Sequence, residues 1–209
     1  MDAEKRWLSV DGPEFIRKIG IKKGHTVVDF GCGHGHYTIP AARVVQAKGR
    51  VYALDNDEEV IRKIEKKAVK GHFENIIPLL VPKDLSLGLK KGTADVALLY
   101  DVLHYLQERE RKKVYAELHR ILKNDGLLSV YPKHYKSDFP MWSLADMDLE
   151  GIIKEITGMG FGLENTLYEK LFHFHSYASG HILTLRRVEN DQGLMPSPIP
   201  DCEISMTRP

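Results

Sequence analysis

The sequence has few cysteines, no long apolar run and almost no net charge. Two cysteines in 209 residues, Cys32 and Cys202, are too few for a disulfide framework or a cysteine-based zinc site. No apolar stretch approaches the roughly 20 residues of a membrane-spanning helix, and the first residues, MDAEKRWLSV, are charged where a signal peptide is apolar. We therefore expect a cytoplasmic protein with no membrane partner. A formal net charge of +1 lacks the basic excess typical of nucleic-acid-binding proteins, so we expect no nucleic-acid partner.

The composition is that of an ordinary globular domain. Hydrophobic residues make up 43% of the chain and charged residues 28%, which is enough apolar material for a substantial core. From residue 189 onward the chain is rich in proline and has no hydrophobic periodicity. We therefore predict a single domain over residues 1–188 and an extended tail over residues 189–209.

Strand patterns and helix patterns alternate along the chain. This alternation predicts a parallel sheet covered by helices on both faces. The last two strands are separated only by SYAS, which is too short for a helical crossover and predicts an antiparallel hairpin. The predicted strands are 25–30, 50–55, 75–81, 94–100, 127–132, 167–175 and 180–187, and the predicted helices are 13–19, 37–47, 57–70, 108–123 and 144–159.

A glycine-rich segment, VVDFGCGHGHYT at residues 27–38, follows the first predicted strand. In open α/β sheets ligands bind at the carboxyl ends of the strands, and the second predicted strand ends there in Asp55, which can accept hydrogen bonds from a ribose diol. The dinucleotide fingerprint is G-x-G-x-x-G, whereas this spacing is G-x-G-x-G. Asp29 would also be a poor neighbour for a pyrophosphate, while a cationic ligand would be stabilised by it. The pattern therefore favours a nucleoside ligand that carries positive charge.

These residues resemble the class I S-adenosylmethionine-dependent methyltransferases, and the resemblance extends from about Phe15 to Arg187. It is carried by VVDFGCGHGHYT, VYALD, the pair Asp84 and Leu85, ADVALLYDVLHYL and LHRILKNDGLL. The sequence is most similar to small members of the methyltransferase type 11 group, although KNDGLL stands where relatives more often have Pro-Gly-Gly. The resemblance implies a three-layer Rossmann-like α/β fold, in which a seven-stranded, mostly parallel sheet has an antiparallel last strand.

The same resemblance implies that S-adenosyl-L-methionine is the cofactor. By position, Asp29 and the loop from Gly31 to Gly35 would hold its methionine part, Asp55 its ribose, Asp84 its adenine amino group and the Leu85 N–H an adenine ring nitrogen. The full set of cofactor-binding residues that we expect is Asp29, Gly31, Cys32, Gly33, His34, Gly35, Tyr37, Asp55, Asn56, Asp84, Leu85 and Tyr100.

Acceptor-side candidates lie after the fourth and fifth predicted strands, because both strands end at the same sheet edge. Asp101, His104 and His134 are candidates for catalytic proton transfer, and Lys133 and Tyr135 are candidates for contact with the substrate. This mixture of groups suits a polar, even anionic, small-molecule acceptor. The absence of [DNS]PP[YF] and of a Pro-Cys pair also favours a small molecule over a nucleobase.

No metal site is predicted. His34 and His36 lack a supporting carboxylate or thiolate set, and His173 and His175 alternate with Phe172 and Phe174 as on a solvated strand face. Two alternatives to a small-molecule methyltransferase stay open. One is a methyltransferase that modifies a macromolecule with a partner, and the other is a nicotinamide-binding oxidoreductase or a noncatalytic nucleotide binder.

Overall fold

The structure, a computed structural model, describes residues 1–188, and the predicted tail at 189–209 lies outside the described residues. Its strands are β1 Thr26–Phe30, β2 Arg50–Asp55, β3 Ile76–Leu80, β4 Ala94–Tyr100, β5 Leu122–Tyr131, β6 Phe161–His173 and β7 Ser176–Arg187. Its α-helices are α1 Ala3–Arg6, α2 Gly12–Lys18, α3 Thr38–Val45, α4 Glu58–Lys70, α5 Glu108–Ile121 and α6 Leu149–Thr157.

All seven strands form one sheet in the order β3-β2-β1-β4-β5-β7-β6. Strands β1 to β5 pair in parallel, and β7 lies antiparallel between β5 and β6. The predicted three-layer fold with its mostly parallel sheet and antiparallel last strand is therefore confirmed. The order reverses between β1 and β4, and a ligand crevice is expected at the carboxyl ends of these two strands.

Apolar layers cover both faces of the sheet because neighbouring residues of a strand point to opposite sides. Val27 and Leu98 pack in one layer with α2 and α3, whereas Val28 and Leu99 pack in the other with α5 and α6. The central strand β4 is buried on both faces, which explains its nearly continuous apolar sequence, ADVALLY.

Residues 3–18 are helical, which the sequence pattern did not indicate before Pro13. A π-helical turn at Trp7–Asp11 joins α1 to α2. The Trp7 side chain is fully buried, and its indole N–H donates to the carbonyl of His36 at 2.7 Å. The Tyr177 hydroxyl on β7 donates to Asp11 at 2.5 Å. These two bonds attach the N-terminal segment to the glycine loop and to the last strand.

Some element ends differ from the prediction. Helix α3 ends at Val45 instead of continuing to residue 47, because Gln46 adopts a left-handed φ of 59°. The hairpin between β6 and β7 is confirmed, but its turn lies at Phe174 and His175 and SYAS belongs to β7. Strand alternation therefore stops at His173, and the expectation that His173 faces solvent is wrong, since its Nε2 lies 2.8 Å from the Asp101 carboxylate.

None of the helices within residues 1–188 is long and apolar enough to cross a membrane.

Candidate active site

The glycine loop between β1 and α3 is left-handed at all three glycines, with φ values of 77°, 47° and 78° at Gly31, Gly33 and Gly35. A Cβ atom at Gly31 would lie 2.3 Å from a methyl group of Val102, and one at Gly35 would lie 2.8 Å from a methyl group of Ile64. At Gly33 the nearest atom would be the Gly31 carbonyl oxygen, 4.0 Å away. Two glycines are therefore required by packing within the protein, and Gly33 borders open space where a ligand can approach the backbone.

Two carboxylates flank this loop. Asp29 on β1 is buried, and its Oδ2 accepts from the Thr38 hydroxyl at 2.5 Å. Burial, together with repulsion from Asp55, raises the Asp29 pKa to about 6. Asp55 at the end of β2 accepts from the Gly33 N–H at 3.0 Å and from the Asp57 N–H at 3.1 Å. The β2 carboxylate thus holds the middle of the glycine loop in place.

Cys32 contributes its backbone rather than its thiol. Its N–H donates to the Leu54 carbonyl at 2.9 Å. Burial and the neighbouring carboxylates of Asp29 and Asp55 raise the pKa of the Cys32 thiol well above its usual range. The thiol therefore stays protonated and is a weak nucleophile.

A cavity of about 540 Å³ opens at the carboxyl ends of β1, β2 and β4. This volume lies within the range of small-ligand sites. Asp29 and Gly35 do not line the cavity. The predicted cofactor residues that do line it are Gly31, Cys32, Gly33, His34, Tyr37, Asp55, Asn56, Leu85 and Tyr100.

The loop after β3 places Asp84 outside this cavity. The Asp84 side chain is exposed and accepts from the N–H and the hydroxyl of Ser86. Leu85 does line the cavity, with a left-handed φ of 66°, but its N–H donates to the Pro82 carbonyl at 2.9 Å. Adenine contacts from this pair would therefore require the loop to change its hydrogen bonds.

A second cavity, of about 470 Å³, adjoins the first and shares Tyr105, His173 and Phe174 with it. Its walls are rich in aromatic groups that are otherwise exposed: Phe139, Trp142, Tyr105 and Phe174 are 78%, 59%, 55% and 54% exposed. Exposed apolar surface around a concavity is typical of a binding site. His104, Lys133 and His134 from the predicted set also line this second cavity.

Backbone strain is concentrated around the same cavities. Asp101, His134, Phe139, Trp142 and Phe174 all adopt left-handed φ values, between 46° and 69°. Such conformations are unfavourable for residues with a Cβ, and they cluster where the fold must aim side chains at a functional site.

Asp101 lies at the junction of the two cavities and is surrounded by imidazoles. His104 Nδ1 and His134 Nε2 each lie 3.7 Å from Asp101 Oδ1, and His173 Nε2 lies 2.8 Å from Oδ2. Burial lowers the His104 pKa to about 4, against the opposing attraction of Asp101. His104 is therefore neutral at pH 7 and too weak a base for efficient proton abstraction there.

The two predicted substrate residues are occupied by protein partners. Lys133 is buried, and its ammonium pairs with Asp138 at 2.7 Å, so its charge is neutralised locally. The Tyr135 hydroxyl bonds to His181 Nδ1 at 2.8 Å, and Tyr135 lines neither cavity.

Sequence reasoning missed the contribution of the last hairpin and of the later part of the loop after β5. Phe172, His173 and Phe174 reach the first cavity from the end of β6, and Phe139 and Trp142 form the second. The only signal available in the sequence was the aromatic and histidine content of LFHFH, which strand alternation explained equally well.

The comparisons with known proteins agree with this geometry. Residues 27–126, from β1 into β5, match the family model described as a methyltransferase domain. The chain is 41% identical over 63 residues to a probable cobalt-precorrin-6B C(15)-methyltransferase (decarboxylating) of Saccharolobus solfataricus, a match that covers 30% of this chain and 32% of that protein. It is 26% identical over 117 residues to a demethylmenaquinone methyltransferase of Lactobacillus johnsonii, covering 56% of this chain and 47% of that protein. The chain thus spans about a third to a half of the length of these curated relatives.

Among solved structures, a SAM-dependent methyltransferase from Aquifex aeolicus is similar over most of both chains. The TM-score is 0.72 at 23% identity, and the match covers 90% of this chain and 95% of that one. The type 11 subgroup stays a prediction, because the matched family model does not distinguish it. The family match therefore identifies residues 27–126 as a methyltransferase domain, and the glycine loop, the strand order and the fold shared with the Aquifex aeolicus enzyme support the resemblance to the class I S-adenosylmethionine-dependent methyltransferases.

Proposed function

We propose that the protein transfers a methyl group from S-adenosylmethionine to an oxygen or nitrogen atom of a small molecule. The observation that carries the proposal is the junction of two cavities at His173, which lies 2.8 Å from Asp101 of the first cavity. One cavity is bounded by the glycine loop and Asp55, and the other is lined by aromatic side chains. A cofactor in the first and an acceptor in the second would meet at this junction.

The residues around the first cavity fit this cofactor. Gly33 leaves its side of the loop open, Asp55 offers a carboxylate to a ribose diol, and the buried charge of Asp29 would be stabilised by a cationic ligand. Asp84 and Leu85 would take the proposed adenine contacts only after the loop moves. When bound, S-adenosylmethionine supplies an electrophilic methyl group, so the protein need only align the acceptor and exclude water.

The second cavity supports a particular kind of acceptor. Phe139, Trp142 and Tyr105 offer flat apolar surfaces, and Lys133 is already paired with Asp138. These facts favour a molecule with a planar or apolar body over the anionic acceptor that the sequence suggested. Its nucleophilic atom would face Asp101 and His134, which lie close enough to hold or accept its proton.

Two of the relatives' names mention small acceptors. Demethylmenaquinone and cobalt-precorrin-6B are the compounds in those names. A methyltransferase of Acinetobacter baylyi that is named for a uracil of 23S rRNA matches 45% of this chain, so a macromolecular acceptor is the alternative function. A concave, aromatic second cavity is the observation against it, because it suits a molecule that can be enclosed.

Calorimetric titration tests the cofactor half of the proposal. We expect S-adenosylmethionine and S-adenosylhomocysteine to bind and NAD not to bind. Asp55→Ala should weaken binding by about 1 to 3 kcal/mol, because two ribose hydroxyls lose their acceptor. Glu65→Ala on the exposed face of α4 removes the same charge away from the cavity and should leave the affinity unchanged. Saturable NAD binding without a response to either adenosyl compound would contradict the proposal.

A methyl-transfer assay with labelled cofactor tests the proposed acceptor. The acceptors assayed are a panel of aromatic alcohols, phenols and amines, together with total RNA. Turnover with at least one small molecule, reduced in Trp142→Ala at unchanged cofactor affinity, is expected. Turnover with RNA alone would refute the small-molecule proposal.

A further inference from the structure

Three side chains from separate parts of the chain converge at the junction of the cavities. Asp101 follows β4, His134 follows β5 and His173 ends β6. One ligand-type atom from each lies within 4.8 Å of the others. Donor atoms on a tetrahedral ion with bonds of 2.0 to 2.2 Å lie about 3.3 to 3.6 Å apart, close to the 3.7 Å between Asp101 Oδ1 and His134 Nε2.

The hydrogen bond of His134 fixes which of its nitrogens carries the proton. Nδ1 lies 3.0 Å from the carbonyl oxygen of Phe139, and a carbonyl can only accept, so Nδ1 is the donor. In the neutral ring Nε2 then presents a lone pair, and it faces a carboxylate oxygen that also only accepts. A backbone carbonyl that orients an imidazole in this way is the usual outer partner of a metal-binding histidine.

The atoms that converge here lack other partners. Asp101 Oδ1, His134 Nε2 and His173 Nε2 are buried, and none has a hydrogen-bond partner among residues 1–188. His173 Nε2 and Asp101 Oδ2 are 2.8 Å apart but are not aligned as a hydrogen bond. Buried polar atoms without partners are costly, and a cation shared between them would satisfy all three.

We propose that Asp101, His134 and His173 form a binding site for one divalent transition-metal ion. Two imidazoles and one carboxylate are ligands that Zn²⁺, Fe²⁺, Co²⁺ or Ni²⁺ prefers over Mg²⁺ or Ca²⁺, which favour all-oxygen sets. Three protein ligands leave at least one coordination position for an exogenous donor, as in catalytic rather than structural zinc sites. His173 lines both cavities, so such a donor can come from a molecule in either of them.

His104 lies beside these three residues. Its ring packs edge-on against that of His134, with centroids 4.5 Å apart, and it stacks on Trp142. Its Nδ1 lies 3.7 Å from Asp101 Oδ1 and is also buried without a hydrogen-bond partner among residues 1–188.

Metal binding can be measured without the cofactor and without an acceptor. Tag-free protein is treated with a chelator, desalted and titrated calorimetrically with Zn²⁺, and Co²⁺ is followed by its visible absorption. We expect one ion per chain and a higher melting temperature with metal. We expect His173→Ala and Asp101→Asn each to weaken Zn²⁺ binding by more than roughly 100-fold. Changes to residues that only hydrogen-bond a metal ligand typically weaken metal binding by about 10- to 100-fold, so a larger loss indicates a direct ligand.

His175→Ala is the matched control, because this histidine is exposed two residues away on the turn. It should bind Zn²⁺ within about twofold of the unmodified protein, allowing for ordinary variation between measurements. Failure of the unmodified chain to bind either ion, or equal losses in His173→Ala and His175→Ala, would overturn the proposal. If the protein binds adenosyl compounds but no metal ion, the metal site is refuted and the proposed function stands. If it binds a metal ion but no adenosyl compound, the metal site stands and the proposed function is refuted.

Discussion

The buried carboxylate of Asp29 should make the stability of the free protein depend on pH. Its pKa in the folded protein is about 6, against an unperturbed value of 3.8. A carboxyl group whose pKa is raised by folding favours the folded state while it is protonated. That advantage is fully present below pH 3.8 and is lost as the pH rises through the folded pKa. Integrating the difference predicts a loss of about 2 kcal/mol in the free energy of unfolding between about pH 4.5 and 7.

Asp29→Asn isolates this effect, because asparagine has the shape of the protonated acid and no titration. Urea unfolding of both proteins at several pH values gives the two free energies. Between about pH 4.5 and 7, the free energy of unfolding of the variant should rise by about 2 kcal/mol relative to that of the unmodified protein. Glu65→Gln, an exposed acid on α4, should run parallel to the unmodified protein.

Saturating S-adenosylhomocysteine should reduce the difference, because its ammonium group favours the ionised carboxylate. Parallel stability curves for Asp29→Asn and the unmodified protein, without ligand, would refute the reasoning. They would mean that Asp29 ionises in the folded protein at the same pH as in the unfolded chain.

The remaining predictions concern the loop, the thiol and one buried ion pair. Gly31→Ala should destabilise the protein by about 1 to 3 kcal/mol through overpacking against Val102. Gly33→Ala should destabilise it by only about 1 kcal/mol, because of its left-handed backbone, and should mainly weaken cofactor binding. Thermal unfolding measures the first effect, and calorimetric titration with the cofactor measures the second. Cys32, studied in a Cys202→Ser background, should resist a thiol reagent at pH 8 until urea unfolds the protein, because its pKa is raised. Arg111→Met should destabilise by about 3 to 5 kcal/mol because it leaves Glu155, 2.7 Å away in the native ion pair, without its buried partner; equal stability in chemical unfolding would contradict this.

Local patterns were sufficient to predict most of the fold. ADVALLY and TVVDF are short apolar runs between helix signals, and parallel strands buried on both faces require such runs. The gap between the predicted helix 108–123 and the predicted strand 127–132 also indicated a turn at Asn124–Gly126. In the structure β5 loops out there, between Leu122 and Leu127, opposite β4. The early end of α3 was not predicted, because nothing in the sequence indicates that Gln46 adopts a left-handed φ.

The acceptor side could not be predicted in the same way. Glycine spacing and an acid at a strand end are local signals, so Gly33 and Asp55 were identifiable from the sequence. His134 and His173 are 39 positions apart and meet only because β5 and β6 flank β7 in the sheet. Asp101 meets them because its backbone adopts a left-handed φ of 58°. Aspartate can adopt this conformation, but its presence in the sequence does not predict it.

The sheet order also bears on how the chain is completed during synthesis. Among the strands of residues 1–188, β7 is synthesised last, yet it inserts between β5 and β6 and pairs with both. Until it emerges, β5 presents an unpaired edge of a largely parallel sheet, which is prone to association with other chains. Phe172 and His173 pair with β7, and Phe174 lies on the turn between β6 and β7. Both pockets therefore depend on β7, and we expect a chain truncated before β7 to retain the glycine loop but to bind either ligand poorly.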